Sequence, residues 1–164
     1  MTGIIEFVEA CLNEDEAAAV RAARPEPWTM PQPSRSDWYV QFWADPEDRA
    51  AVIADPESSA YPVVASLVGD DEDLAEGRVD HIARWDPTRV LTEVAAKRKL
   101  IDFAFAYASE VDDERGDGHT AEQIRAGECA DHGGQAYIDV LRLLALPYAD
   151  HPDYDENWRP SPSI

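Results

Sequence analysis

The chain has 164 residues with 45 % hydrophobic content, which suits one domain with a core, but it carries 34 acidic against 14 basic residues, a net charge of −20. Such a charge repels phosphate backbones and sets direct nucleic-acid binding aside as an expectation. No apolar run approaches the ~18 residues of a membrane span, and two cysteines, Cys11 and Cys129, make no disulfide framework.

The N-terminal stretch MTGIIEFVEACLNEDE lacks the basic start and cleavage site of a signal peptide, so a cytoplasmic protein with reduced thiols is expected. A first helix is predicted over 3–23, with Thr2 as cap and Ile4, Phe7, Val8, Cys11 and Leu12 at three- and four-residue spacing as its buried stripe. Its later part, EAAAVRAA, is helical by propensity and only weakly apolar. Clustered prolines then make 24–36 an extended connector. DWYVQFW reads as a strand apolar on both faces, and AAVIA and AYPVVASLV as two more, giving an antiparallel meander over 37–68. GDDEDLAEG, within 69–77, reads as a solvated acidic loop.

The helical part is expected over 78–147. Asp86 is a good N-cap and Pro87 suits the first helical position. Val90, Leu91, Val94, Ile101, Phe105 and Ala108 mark the core stripe of the longest helix, and VDDERGDGH ends it. Thr120 is a capping candidate for a short helix, and ECADHGG reads as a loop. QAYIDVLRLLAL is a last helix, apolar nearly all round, ended by Pro147 and expected to lie between the sheet and the long helix. An acidic, aromatic segment over 148–158 is expected to fold back, leaving 159–164 as a disordered tail.

The blocks HIARWDPTRVLTEVAAKRKLI and LRLLALPYADHPDYDENWRP, with the opening helix FVEACLNEDE, resemble an uncharacterised family of small acidic proteins of actinobacteria and their phages, a DUF6221-like domain of unknown function. The resemblance covers roughly 3–23, 80–101 and 141–159. It implies no activity. It directs attention to His81, Asp86, Pro87, Arg89, Lys97, Arg98, the stretch Leu141 to Pro152, and Tyr154. Many members carry cysteines between the two blocks in arrangements that look like a zinc site. This chain departs from that pattern: it offers Cys129-x-x-His132, and Trp85 stands where the family's first block has a second histidine.

His81, Cys129, His132 and His151 form the soft-metal set that the residue types allow, with His119 as a spare; zinc calls for about four N or S ligands, so a polar loop that happens to hold Cys and His is the preferred reading. His81 with Asp86 or Asp150 could serve as a general base, but no nucleophile lies near in sequence, and a local hydrogen bond before the helix explains it as well. Gly133-Gly134 before a helix could cradle an anion or simply ease the helix start. The residues 81–111 carry 4 acidic and 5 basic groups, against the acidity elsewhere. Arg89, Lys97 and Arg98 there form a weak anion site or, on the preferred reading, an internal counterweight to the acidic tail. His81, Arg89, Tyr148, His151 and Tyr154 are expected to meet where the two family blocks touch.

The sequence therefore predicts a single α+β domain over 1–158, with a three-stranded meander packed against three to four helices. The expected role is a non-enzymatic cytoplasmic interaction or accessory protein with a protein partner and no cofactor. The partner surface is expected on the meander and acidic loops, with exposed Trp or Tyr as anchors. A zinc-bearing binding module and an acidic mimic of nucleic acid that blocks a DNA-binding protein are the alternatives. Oligomeric state is open.

Overall fold

A computed structural model describes residues 3–23, 39–41, 50–53, 63–67, 78, 81–129 and 132–160. Its described helices include α1 (Ile4–Ala22), α2 (Pro87–Arg115), α3 (Ala121–Arg125) and α4 (His132–Ala145), with a helical turn over 81–84 before α2 and single 3-10 turns at Leu146–Tyr148 and Glu156–Trp158. Among residues whose side chains are described, 78 % are helical and none lies in a strand. This corrects the expected α+β class: the body with a visible core is helical. Three short segments, β1 (Tyr39–Gln41), β2 (Ala50–Ile53) and β3 (Val63–Leu67), do pair antiparallel in the order β1-β2-β3, with Tyr39 opposite Ile53 and Ala50 opposite Leu67. Alternating sequence patterns encode this local pairing. They do not encode what a sheet packs on. The connector over 24–36, most of the expected sheet region and the acidic loop 69–77 lie outside the described residues.

The chain groups into two compact units, one of residues 1–14 and 94–164, the other of 15–93. In the first, α1 buries Ile5, Phe7, Val8, Cys11 and Leu12, the predicted stripe shifted from Ile4 to Ile5. Its first turn closes with the Phe7 N–H donating to the Gly3 carbonyl at 3.1 Å. Helix α2 contributes Val94, Ile101, Ala104 and Ala108, and α4 contributes Tyr137, Leu141 and Ala145 at four-residue steps. The latter helix is one-sided rather than apolar all round, since Leu143 is exposed, as is Leu146 in the turn that follows it. The Phe105 and Tyr137 rings join α2 to α4 edge-to-face at 5.9 Å, and the Arg125 guanidinium from α3 lies 4.2 Å over Phe105. Such contacts between neighbouring helices set the position of the loops that connect them.

In the second unit, Asp86 caps α2 by accepting from the Arg89 N–H at 2.7 Å, with Pro87 at the first helical position, as the sequence predicts.

Candidate functional site

The end of α2 is closed by a Schellman turn. Gly116 adopts φ 72°, which only glycine takes easily. Its N–H donates to the Asp113 carbonyl at 3.2 Å, and the Asp117 N–H reaches back to the Asp112 carbonyl at 3.3 Å. The Asp112 side chain lies one step of four beyond Ala108, on the buried stripe, and is 2 % exposed. A carboxylate placed there needs partners. Its Oδ2 accepts from the His119 backbone N–H at 3.0 Å, and its Oδ1 lies 2.5 Å from His119 Nδ1. The Cys129 thiol approaches the same Oδ1 at 3.9 Å.

Thr120, next to His119, starts α3 with a full capping box: its hydroxyl accepts from Gln123 N–H, and the Gln123 side chain accepts from Thr120 N–H. That box fixes the backbone from which His119 reaches Asp112. Cys129 is held from the other side. A Cβ at Gly134 would collide with the Cys129 carbonyl, and one at Gly133 would sit 2.9 Å from Val111 Cβ. The Gly133-Gly134 pair thus lets the start of α4 press against α2 and Cys129, a close approach rather than an anion cradle. Cys129, expected in a polar loop, is 3 % exposed. An attacking thiolate must meet its substrate, and this sulfur is closed to one.

Asp112, His119 and Cys129 each offer a ligand atom within 4.8 Å of the others, with Asp112 and Cys129 buried and His119 partly so. Of the metal candidates read from sequence, Cys129 belongs to this group and the spare, His119, joins it. His132 is exposed at the first position of α4. His151 packs its ring on Phe7 at 5.5 Å, and its Nδ1 accepts from the Asp153 N–H at 3.1 Å. His81 lies in the other unit, 6.3 Å from the Trp85 ring. Asp112 is the residue that sequence reasoning passed over. Its signal was the α2 stripe itself, extended by one more step of four.

The acidic aromatic segment after α4 folds onto α1. Phe7 receives His151, Tyr154 at 5.9 Å and Trp158 at 5.0 Å, and Trp158 stands at 87° to Tyr154. Tyr148 turns to α2 instead, under Lys97 Nζ at 5.8 Å. Arg159, expected in the tail, pairs with Glu156 at 2.9 Å, a bond that lowers the pKa of Glu156 and raises that of Arg159. The other basic candidates are also engaged within the chain. Arg89 pairs with Glu93 at 3.0 Å and stacks over Trp85. Arg98 donates to Asn13 Oδ1 at 2.8 Å in an open groove of about 430 Å³, where Glu9 and Asp102 supply negative charge.

The same unit shows a second apolar line on α2. Leu100, Phe103 and Tyr107 are 45, 72 and 46 % exposed. At i, i+3 and i+7 they share a face turned roughly 120° from the core stripe. Exposed Glu110 and Glu114 continue it.

These features define a small acidic helical protein with a buried carboxylate–imidazole–thiol cluster and an open aromatic face. The chain belongs to the family of unknown function DUF6221, whose model matches residues 1–160. No curated protein matches it, and no solved structure does. Among the described residues, no helix is long and apolar enough to cross a membrane.

Proposed function

We propose that the protein is a small non-enzymatic binding protein that docks a partner protein on the Leu100–Phe103–Tyr107 face of α2. The exposure of Phe103, 72 %, carries the reading. An aromatic ring flanked by two more apolar side chains at helical spacing is the form that binding anchors take. The side chains of the meander and acidic loops, where anchors were expected, lie outside the described residues, and α2 supplies the exposed aromatic face among those described. Glu110 and Glu114 extend the line, and the chain as a whole is −20, so the fitting partner offers an apolar pocket with a basic rim.

The test is Phe103→Asp, compared with wild type as bait. The variant should melt as wild type does, since an exposed substitution changes stability by about 0.5 kcal/mol or less. It should lose a specifically retained protein by at least about tenfold, as loss of an anchor residue does. A melting temperature several degrees lower would place Phe103 in the protein's own core and overturn the reading. So would an unchanged set of retained proteins.

A further inference from the structure

We infer that Asp112, His119 and Cys129 form a zinc site. The three side chains come from the last turns of α2, the loop between α2 and α3, and the loop between α3 and α4, all within one compact unit. They are the ligand types zinc favours: thiolate, imidazole and carboxylate.

The spacing is close to what the ion needs. Tetrahedral zinc, with bonds of about 2.0–2.3 Å, sets its ligand atoms roughly 3.3–3.8 Å apart. Cys129 Sγ and Asp112 Oδ1, at 3.9 Å, stand just beyond that separation and need to close by only a few tenths of an ångström. His119 Nδ1 stands 2.5 Å from Oδ1 and must withdraw by about 1 Å to admit the ion. It can do so because its ring is on a loop, follows Gly118 at φ 75°, and is 29 % exposed. The carboxylate stays in place, because Oδ2 remains bonded to the His119 backbone N–H. That contact is the outer support that orients a metal-binding carboxylate.

Charge favours the same conclusion. Binding sends the Cys129 thiol proton to solvent and leaves the imidazole neutral with its proton on Nε2. One carboxylate and one thiolate then balance the divalent cation in a largely buried place. Water or another donor completes the fourth position. With ligands 112, 119 and 129, the ion would clip the end of α2 to both loops that follow it.

Cobalt titration of the full chain, stripped with a chelator, tests the site. One Co²⁺ per chain should bind with a near-ultraviolet thiolate charge-transfer band and the intense visible bands of a tetrahedral ion, and Zn²⁺ should displace both. Cys129→Ser should abolish the charge-transfer band. His119→Gln, at a part-exposed position, should keep the native circular dichroism and weaken zinc at least about tenfold in competition with a chromophoric chelator. His132→Ala, His151→Ala and Cys11→Ala should bind as wild type does. Failure of the folded wild-type chain to take one equivalent would overturn the site. So would a charge-transfer band that survives Cys129→Ser, or unchanged zinc affinity in His119→Gln.

Discussion

Truncating Phe7 to Ala should loosen the whole C-terminal segment from α1. Phe7 is 3 % exposed and receives three rings, those of His151, Tyr154 and Trp158, at 5.5, 5.9 and 5.0 Å. Removing a buried Phe costs about 3–5 kcal/mol in transfer and cavity terms together. Each aromatic pair supplies ~0.5–1.5 kcal/mol of packing, which places this site toward the upper end. In a chain of this size, 1 kcal/mol moves the melting temperature by about 2–4 °C, so a fall of roughly 6–20 °C is expected. Calorimetry reads that fall. Limited proteolysis should show cleavage after α4, near 149–158, appearing under conditions where wild type is intact. Phe103→Ala, a same-size deletion on the exposed face, is the control and should leave melting within about 0.5 kcal/mol of wild type. A Phe7→Ala protein that melts within a degree of wild type would refute the docking of this segment on α1.

Three further outcomes follow from the same unit. Gly134→Ala drives a methyl group into the Cys129 carbonyl, where backbone must move; a loss of about 1–3 kcal/mol in urea denaturation is expected. Thr120→Ala removes half of the capping box and should cost ~1 kcal/mol in the same assay. Burial raises the Tyr137 pKa above 10.0, reinforced by Glu9, Glu6 and Asp102 and opposed by Arg125. The folded state therefore holds the phenol proton more tightly than the unfolded state. Stability is unaffected by this group below pH 10 and falls as pH rises above it. In alkaline melting curves Tyr137→Phe should show a shallower loss over that range; an identical slope would contradict the assignment.

Local signals in the sequence were legible where the physics is local. The Asp86-Pro87 start, the Thr120 cap and the α1 stripe rest on neighbouring backbone groups and helical periodicity, and each stands in the structure. The class did not follow from such signals. Alternation in DWYVQFW and its neighbours predicts pairing, and β1–β3 pair, but the residues whose side chains are described are predominantly helical. The last helix read as apolar all round because Leu143 and Leu146 count as apolar wherever they point. Tyr148, His151 and Tyr154 read as partners of the long helix; Tyr148 lies there under Lys97, but His151 and Tyr154, joined by Trp158, meet Phe7 on α1, a pairing across more than half the chain that no periodicity carries. Cys129 and His132 looked like a pair by spacing alone. His132, at the first position of α4, is exposed, whereas Cys129 is buried beside Asp112. Asp112 itself was hidden inside an acidic run that reads as a helix end, although four-residue steps along α2 arrive at it.

Whether the outward face of α2 meets another protein is read most directly by site-specific photo-crosslinking. A photoreactive residue replaces Phe103 in the full chain, within the cells that make it, with the exposed Glu122 of α3 as the control position. A discrete adduct to another protein from position 103, absent from position 122, is the predicted result. A crosslink confined to the protein's own chain, or the same adducts from both positions, would contradict it.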